Sequence, residues 1–384
     1  MNITIHKGAD QIGGCVTEIS TEKAKIFIDL GADLTQDKEK TVSKVNIDGL
    51  TKGNAENSTL LITHYHGDHI GRITQALPEI PIYMGDTAKK INMVKSKRLA
   101  KAELVDKKEL EFLNKTKTFK PAQKLTFGDI KVTPIMIDHS AFDAYSFLIE
   151  ANGKKVFYTG DFRLHGPRGK IKVFEHFAKN IDCLICEGTN IAKGKAQTEF
   201  ELYNKAIELF EKPEHKYVFI LCSSTNIDRI FEFYHAYNKV FNRKRPFTGD
   251  AYQKEVLKIV TDNHSEKSPF YKFEPNDVPA KNGFCFLIRD NDSSKEKLKK
   301  YFTDYPNQCL LIYSMWKGYL NEPRYSFLNS YKHEYLHTSG HADIDSIKEV
   351  VKTVKPKFIM PIHTEHPEEF QNHFSNVKFS KLDL

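Results

Sequence analysis

The stretch LLITHYHGDHIG, residues 60–71, places three histidines and one aspartate within six positions. The apolar run at its start has the length and the flanks of a buried strand. The polar cluster begins where that strand ends, which is where α/β proteins place their chemistry. His64 and His66 are two positions apart, so both can project from one side of an extended loop, and Asp68 and His69 follow. Imidazole nitrogens with a carboxylate oxygen are the ligand set of zinc, so the stretch predicts a metal site.

Length and composition indicate a globular protein of two or three domains. The chain has 384 residues, of which 40% are hydrophobic and 28% charged. Its formal charge of +7 permits an anionic partner without requiring one. No apolar run approaches the roughly 18 residues of a membrane span. The N-terminal residues MNITIH alternate like a strand and lack a signal-peptide hydrophobic region. We therefore expect no membrane segment and a cytoplasmic location.

The six cysteines are scattered and lie mostly in apolar runs, which is typical of reduced thiols in a protein core. Cys183 and Cys186 form a C-x-x-C pair inside the strand-like IDCLICEG. A zinc knuckle usually needs a second such pair, and none accompanies this one. The pattern therefore favours two buried thiols over a metal or redox site.

Short strands alternate with helices along the chain. Strands are predicted at residues 2–6, 14–20, 25–29, 59–63, 130–137, 145–151, 154–159, 182–187, 216–222, 284–288, 309–313 and 357–362. Helices are predicted at 86–110, 197–211, 226–240, 250–263 and 343–354, with another after Pro367. Asn152-Gly153 between two strands predicts a hairpin. Residues 264–283, with prolines, asparagines and a glycine, are expected to form an exposed loop.

The motif THYHGDH resembles the H-x-H-x-D-H signature of the metallo-β-lactamase superfamily, and further residues match that family's motifs in order. His139 lies in MIDHSAFDAYSF, Asp161 in FYTGDFRLHG and His363 in IMPIHTE. Asp29 in FIDLGAD corresponds to the family's first motif, which supports the metal site from behind. The matching positions span nearly the whole chain.

The resemblance implies a site for two divalent metal ions, zinc or, as the alternative, manganese. It assigns His64, His66 and His139 to one ion. The other ion takes Asp68, His69 and His363, and Asp161 bridges the two ions. Two such ions lower the pKa of a bound water and stabilise both the attacking and the leaving oxygen of a displacement. The implied chemistry is hydrolysis.

About 200 residues separate Asp161 from His363, more than a small-molecule hydrolase of this fold needs. The insert resembles the β-CASP domain, the nucleic-acid-specific cap of the superfamily. Glu187 in LICEGTN fits its acidic motif A, His341 in HTSGHA fits motif B, and His363 fits motif C. Both HTSGHA and LCSSTNIDRI, residues 221–230, resemble the ribonuclease J branch.

The resemblance implies catalytic roles for Asp68, Glu187 and His341. A carboxylate beside an imidazole raises the pKa of the imidazole and fixes its orientation. Glu187 would thus hold a protonated His341, which could donate to the departing 3′-oxygen. Asp68 is the candidate for handling the attacking water.

Three further residues are expected to contact the substrate phosphate: Ser224, His337 and Ser339. Ser224 precedes the predicted helix 226–240, and the N-terminus of a helix attracts anions. A simple capping role for this segment is equally consistent with the sequence. Arg163 and Lys317 are additional candidates for phosphate contact.

The expected fold is α/β, a metallo-β-lactamase αββα sandwich with an inserted β-CASP α/β cap. Residues 1–195 and 336–384 would form the sandwich, and residues 196–335 the cap. Ribonuclease J proteins carry a further C-terminal domain. Since about 20 residues follow His363, the chain is expected to lack that domain.

The expected function is that of a metal-dependent ribonuclease acting on single-stranded RNA in RNA processing or decay, as a monomer or homodimer. Three alternatives stay open: an Artemis-like DNA nuclease, a small-molecule or cyclic-nucleotide phosphodiesterase with the same core, and a binding protein with an inactive site. Artemis-like enzymes usually carry valine at motif C, so His363 argues against the first. The complete ligand set argues against the last.

Overall fold

The computed structural model of the chain describes residues 1–34, 44–264 and 282–384. These residues divide into two compact units, Met1–Ala196 with Gly340–Leu384, and Gln197–Ser339. The second unit is an insertion in the sequence of the first. The domain assignment made from the sequence, a catalytic core of residues 1–195 and 336–384 and a cap of 196–335, stays a prediction.

Seven strands form the first sheet of the first unit, in the order β18-β1-β2-β3-β4-β5-β6. They are β1 (Asn2–Lys7), β2 (Val16–Ser20), β3 (Lys25–Ile28), β4 (Ser58–Leu61), β5 (Ile82–Gly85), β6 (Lys117–Phe119) and β18 (Lys381–Asp383). From β18 to β3 the pairings are antiparallel, and from β3 to β6 they are parallel. The carboxyl ends of β3, β4 and β5 therefore lie at one edge.

Six strands form the second sheet, in the order β17-β11-β10-β9-β8-β7. They are β7 (Leu125–Phe127), β8 (Ile130–Ile137), β9 (Ala144–Ala151), β10 (Lys154–Tyr158), β11 (Cys183–Glu187) and β17 (Phe358–Ile362). Asn152 and Gly153 join β9 to β10 with φ angles of 52° and 71°, as a two-residue hairpin turn requires. The hairpin predicted from this dipeptide is confirmed.

The two sheets pack face to face through one apolar core. Ile3 and Ile26 of the first sheet and Phe147, Val156 and Ile185 of the second are among its buried members. Burial of one face accounts for the alternation in β1, where every second side chain is apolar. The two sheets alone therefore form the central core of the sandwich.

Helices cover the outer faces of the sandwich. They are α1 (Gly67–Ile70), α2 (Asp86–Lys101), α3 (Lys108–Lys115), α4 (Ile171–Phe177), α9 (Ile344–Val354) and α10 (Glu368–His373). Phe174 of α4, Ile347 of α9 and Phe370 of α10 pack in one cluster with Leu184 of β11. On the other side, α2 packs against β5 and β6. The α/β sandwich fold expected from the sequence is confirmed.

The single helix predicted at 86–110 is wrong, because the chain forms two helices there. The first ends at Lys101 and the second begins at Lys108. Between them Glu103 has a φ angle of 55°, a left-handed conformation that no continuing helix allows. The lysine-rich composition of the segment gave no sign of this turn.

The second unit contains a five-stranded parallel sheet in the order β13-β14-β12-β15-β16. Its strands are β12 (Tyr217–Cys222), β13 (Phe247–Thr248), β14 (Phe284–Ile288), β15 (Cys309–Ser314) and β16 (Glu334–Tyr335), and its helices are α5 (Glu199–Phe210), α6 (Ile227–Phe241), α7 (Ala251–His264) and α8 (Asp292–Asp304). Three strands read as continuous apolar runs because both faces are covered.

The exposed loop expected at 264–283 falls almost wholly on residues 265–281, which lie outside the described residues. No helix in the described part of the chain is both long enough and apolar enough to span a membrane.

Candidate metal centre

The predicted metal-binding motif follows β4 at the edge where the parallel strands end. His64 and His66 lie on the extended chain after the strand, and the short helix α1 carries Asp68 and His69. The strand positions the motif because β4 is held between two parallel neighbours.

The segment that follows β3 supports this motif from one side. The backbone N–H of Leu30 donates to the carbonyl of His69 at 2.8 Å. Gly31 lies so close to Asp68 that a Cβ at this position would sit 1.6 Å from the Asp68 carbonyl oxygen. Any side chain at Gly31 would therefore displace Asp68.

Five imidazole rings converge on one carboxylate oxygen, Oδ2 of Asp161. The nearest ring nitrogens lie 3.0 to 3.8 Å away, in the order His69 Nε2 (3.0 Å), His341 Nδ1 (3.7 Å), His363 Nε2 (3.7 Å), His64 Nε2 (3.8 Å) and His139 Nε2 (3.8 Å). Asp161 follows β10 and is 2% exposed. Residues from four separate parts of the sequence thus meet at one buried oxygen.

The two remaining predicted ligands lie in the same cluster. Nδ1 of His66 is 3.2 Å from Nε2 of His139. Oδ2 of Asp68 is 3.1 Å from Nε2 of His363 and 3.8 Å from Nε2 of His69. The structure therefore brings all seven side chains together, and their assignment as ligands stays a prediction.

Four of these histidines have the other ring nitrogen in contact with a neighbouring group. Their Nδ1 atoms contact Thr63 Oγ1 (His64, 3.0 Å), Asp29 Oδ2 (His69, 2.8 Å), the Gly340 carbonyl (His139, 2.7 Å) and Thr189 Oγ1 (His363, 2.7 Å). Such contacts fix the tautomer and the ring orientation of metal-binding histidines. Each leaves Nε2 available at the centre of the cluster.

Asp29 also accepts two hydrogen bonds from Thr63. Its Oδ1 accepts the backbone N–H at 2.8 Å, and its Oδ2 accepts the hydroxyl at 2.8 Å. Its backbone φ angle is 63°. His363, the last predicted ligand, has a φ of 52°. Left-handed backbone at non-glycine residues is costly and concentrates at functional sites. The supporting role of Asp29 stays a prediction.

The charges of the cluster favour metal binding. Burial, reinforced by neighbouring imidazoles, holds the pKa of His64 well below its ordinary value, and burial also lowers the pKa of His139. Burial lowers the pKa of His66 to about 4. All three rings are therefore neutral, the form that binds a metal. Burial would raise the pKa of Asp161, but the surrounding histidines hold it well below its usual range.

Two polar atoms of the cluster, Nε2 of His64 and Oδ1 of Asp161, are buried without a hydrogen-bond partner. Leaving such an atom unpaired costs about 1–3 kcal/mol, more for a charged group. A divalent cation would satisfy both of them, because nitrogen and carboxylate oxygen are its usual ligands. The donor set fits a divalent metal ion.

Glu187, at the end of β11, lies fully buried beside this cluster. Its Oε1 accepts the backbone N–H of Phe162 at 3.2 Å and of Ala342 at 3.1 Å, and its Oε2 accepts that of Thr189 at 3.1 Å. Nδ1 of His341 lies 3.4 Å from the same Oε1. The carboxylate is thus held in place by backbone groups and faces the imidazole.

Two histidines of the cluster have a raised pKa: His69, because of the nearby Asp161 and Asp29, and the more exposed His341. Burial would lower the pKa of His341, but the negative charges of Glu187 and Asp161 raise the pKa to about 9. A fifth of its side chain is exposed. The ring can therefore carry a proton at neutral pH and reach solvent.

Thr189 is a site residue that the sequence analysis missed. Its hydroxyl contacts Nδ1 of His363 at 2.7 Å and Nδ1 of His341 at 3.1 Å. It lies two positions after Glu187 in the quoted LICEGTN, so its closeness to a motif residue was the available signal.

Cys15 is a second residue that the sequence did not identify. Its thiol lies within 4.8 Å of ring nitrogens of His69 and His363. Burial and the charge of Asp161 raise the pKa of this thiol well above its usual value, so it is protonated. All six cysteines are free, and five of them, Cys183 and Cys186 included, are buried.

The three predicted phosphate contacts lie in the second unit. Ser224 is in the loop between β12 and α6, and Asn226 caps that helix by accepting the N–H of Arg229. His337 and Ser339 follow β16. Their contact with substrate stays a prediction.

Arg229 anchors the segment that carries His337. Its buried guanidinium makes a bidentate pair with Glu199 at 2.7 and 2.9 Å. It also donates to the Thr338 carbonyl at 3.1 Å and lies 3.3 Å from Nδ1 of His337. A planar guanidinium suits this fixed, multidentate role. No pattern in the sequence identified Arg229.

Arg163, considered above for phosphate contact, is instead part of a buried ion pair. Its Nε lies 2.7 Å from Oδ1 of Asp138, and only 1% of the residue is exposed. The Arg163 side chain therefore belongs to the interior of the first unit.

Comparison with protein families gives two matches along the chain. The family described as "Beta-lactamase superfamily domain" matches residues 25–219. The family described as "Zn-dependent metallo-hydrolase RNA specificity domain" matches residues 330–380. Every residue of the cluster except Cys15 falls within one of these two ranges.

Several curated proteins are similar to nearly the whole chain. Ribonuclease J of Helicobacter pylori is 23% identical over 397 residues, covering 95% of this chain and 56% of that protein. Ribonuclease J of Mycoplasma pneumoniae is 24% identical over 400 residues, covering 94% and 67%. The chain thus spans little more than half the length of the Helicobacter relative. The resemblance to ribonuclease J is confirmed.

Two further comparisons concern another curated protein and a solved structure. The probable RNase MJ4 of Methanocaldococcus jannaschii is 26% identical over 205 residues, covering 49% of this chain and 45% of that protein. The crystal structure of a protein of unknown function from Enterococcus faecalis V583 superposes with a TM-score of 0.76 at 21% identity, covering 98% and 97% of the two chains. This structural likeness bears on the fold alone.

Proposed function

The chain belongs to the β-lactamase superfamily, and from this premise we propose that it is a metal-dependent ribonuclease that hydrolyses phosphodiester bonds of single-stranded RNA. The observation that carries the proposal is the convergence of five imidazoles on one oxygen of the buried Asp161. Clustered donors of this kind are costly unless a cation binds them. A metallohydrolase site accounts for the cluster.

We assign two divalent ions, zinc or manganese, to the seven ligand side chains. One ion would take His64, His66 and His139, the other would take Asp68, His69 and His363, and Asp161 would bridge them. When bound, the ions would supply an activated water and charge stabilisation for the displacement. The four Nδ1 contacts described above support this assignment, because they leave the Nε2 atoms free to coordinate.

Glu187 and His341 are proposed to deliver a proton to the departing 3′-oxygen. With Nδ1 of His341 beside the Glu187 carboxylate, Nε2 is the ring atom left to carry that proton. A buried carboxylate with three backbone donors stays in place while the imidazole acts. Asp68 is proposed to orient the attacking water, since its oxygen lies within the cluster.

RNA is the proposed substrate because residues 330–380 match an RNA specificity domain and the curated relatives include ribonucleases. Within that range, His337 and Ser339 are proposed to contact the scissile phosphate. Ser224, in the loop before α6, is proposed to add a third phosphate contact. Several phosphate contacts would make binding weaken steeply with salt.

The test is a side-by-side time course with metal-loaded protein. Matched, end-labelled RNA and DNA oligonucleotides, each with a 5′-monophosphate or a 5′-hydroxyl, are incubated with zinc or manganese, and the product ladder is read. We expect RNA to be cut faster than DNA. The Asp161→Ala variant is the control, and it should cut neither, with its circular dichroism spectrum unchanged.

Other outcomes would reassign the substrate. Equal or faster cleavage of DNA would indicate a DNA nuclease. Turnover of bis-p-nitrophenyl phosphate or a cyclic nucleotide, with neither polymer cut, would indicate a small-molecule phosphodiesterase. Size-exclusion chromatography with light scattering would decide between the proposed monomer and homodimer.

A further inference from the structure

Three of the eight exposed large hydrophobic side chains in the described residues lie close together in the sequence of the second unit. Trp316 is 57% exposed, Tyr319 39% and Tyr335 38%. Trp316 precedes the short helix Lys317–Asn321, which carries Tyr319, and Tyr335 ends β16. We call these three residues the aromatic patch. Clustered exposed apolar side chains mark interaction surfaces more often than isolated ones do.

The indole of Trp316 is held in place although it is exposed. A Cβ on Gly318 would lie 2.1 to 2.5 Å from three atoms of the six-membered ring, so the ring lies against the glycine backbone. Tyr319 packs edge-on against it, with ring centroids 5.4 Å apart. The hydroxyl of Tyr313 donates to the Trp316 carbonyl at 2.9 Å. The Gly318 backbone therefore covers part of the indole, while 57% of the residue stays exposed.

Cations accompany the patch. Nζ of Lys317 lies 4.4 Å from the ring centroid of Tyr335, and the lysine has no carboxylate partner among the residues that the structure describes. Arg324 lies 6.0 Å from the centroid of Tyr319 and also pairs with Glu322 at 2.8 Å. Of these two cations, Lys317 is therefore the more available to an anion.

We propose that the aromatic patch binds unpaired bases of single-stranded RNA by stacking, with Lys317 contacting the adjoining phosphate. This proposal rests on the proposed ribonuclease function and adds a binding site to it. Aromatic faces with a nearby cation are the usual means of holding single strands, because every base has a π-face and every nucleotide a charge. The hydrogen bond and the glycine contact set the position of the indole before a base arrives.

The size of the patch favours a nucleic-acid strand over a protein partner. The exposed fractions of the three rings correspond to roughly 300 Å² of aromatic surface. A stable protein interface buries about 800 Å² on each partner. A few stacked bases, in contrast, need little more area than the rings themselves provide.

Trp316 is the only tryptophan of the chain, so fluorescence excited at a wavelength that tyrosine does not absorb reports on the patch alone. The full chain in EDTA, which prevents cleavage, is titrated with a ten-residue oligoadenylate and with an abasic ribose-phosphate oligomer of equal charge. We expect the oligoadenylate to quench the fluorescence saturably and the abasic oligomer to leave it nearly unchanged. Equal responses to both, or no response while anisotropy shows that the RNA is bound, would overturn the proposal.

Variants provide the second measurement. Trp316→Ala should weaken binding of labelled oligoadenylate about tenfold, within the range found for loss of one stacked base. Trp316→Phe should retain most of the affinity. Phe200→Ala is the matched control, because Phe200 is 70% exposed in the same unit and outside the patch. Unchanged affinity of Trp316→Ala would refute the stacking role.

The same experiments separate this proposal from the ribonuclease proposal. Cleavage of RNA without any fluorescence response would refute RNA binding by the aromatic patch and leave the ribonuclease proposal intact. A base-dependent fluorescence response without cleavage would support RNA binding by the patch and refute the ribonuclease proposal. If Trp316→Ala changes the sedimentation coefficient and not the RNA affinity, the patch is an interface with a second copy of the chain, and the RNA proposal is wrong.

Discussion

The hydroxyl of Thr189 links two histidines of the cluster, and its removal tests how the metal site is held. Thr189→Val keeps the shape of the side chain and deletes the contact with Nδ1 of His363 at 2.7 Å. Loss of such an outer contact typically lowers metal affinity about 10- to 100-fold. We expect that loss in a competition titration with a fluorescent chelator. Thr189→Ser, which keeps the hydroxyl, is the control and should bind as the wild type does. Equal affinities for all three proteins would mean that Thr189 does not orient His363.

Glu187→Gln tests the proposed acid pair. The substitution preserves size and removes the charge that faces His341 at 3.4 Å. We expect metal content, measured by inductively coupled plasma mass spectrometry, to stay as in the wild type. The rate at saturating RNA should fall about 100- to 10,000-fold, the usual contribution of general acid–base catalysis. A variant that loses metal, or that cuts RNA at the wild-type rate, would show that Glu187 has another role.

At this scale the sequence predicted the residues that a local motif or a family motif marks, and it missed residues that carry no motif and reach the cluster only through the fold. His64, His66, Asp68 and His69 are neighbours in one loop, so their spacing carries the information. Cys15 directly precedes β2, and its backbone N–H donates to the Asp68 carbonyl at 3.3 Å. Nothing near Cys15 in the sequence indicates that contact.

Helix α9 begins at a capping residue whose contribution can be measured. Asp343 accepts the backbone N–H of Ser346 at 2.9 Å and that of Ala196 at 3.0 Å. Asp343→Ala should lower the free energy of unfolding by about 1–2 kcal/mol in urea at pH 7. Asp343→Asn, which keeps one acceptor oxygen, should lose less. Both values are measured in EDTA, so that metal release does not contribute.

The same cap predicts a pH dependence. Although burial would raise the pKa of Asp343, its hydrogen bonds with Ser346 and Ala196 lower that pKa below its ordinary value. A carboxyl with a lowered pKa in the folded state stabilises the fold above the pKa of the unfolded state, and the stabilisation is lost as pH falls through the folded-state pKa. The difference in stability between wild type and Asp343→Asn should therefore shrink below about pH 4. A difference that stays constant down to pH 2.5 would contradict the assignment.

Elements with a clear period or an apolar run were predictable from the sequence, and very short ones were not. The strands β8 and β14 have the predicted bounds, 130–137 and 284–288. The strands β6 and β7 have three residues each, which is too few to show a period. Tertiary pairing alone selects such segments, and the sequence offers no local signal for that pairing.

At the scale of the whole molecule, the candidate ligands come from both sides of the inserted second unit. The ends meet because β17 pairs in parallel with β11, which places the residues after Ile362 beside those after Glu187. The order of the motifs predicted that the two parts of the sequence share one unit. It could not predict which strands pair, because pairing between distant segments leaves no local pattern.

Metal removal should therefore act on one unit more than on the other. A metal that binds only the folded state stabilises that state by about 4 kcal/mol at a thousandfold excess over its Kd. For a unit of this size that corresponds to a shift of roughly 10 °C. We expect EDTA to lower the thermal transition seen by circular dichroism by this amount. The transition seen by the fluorescence of Trp316 should move less, because that residue lies in the second unit and all seven proposed ligands lie in the first. The Asp161→Ala variant should show no EDTA shift. An unchanged circular dichroism transition in the wild type would mean that the histidine cluster does not bind metal in the folded protein.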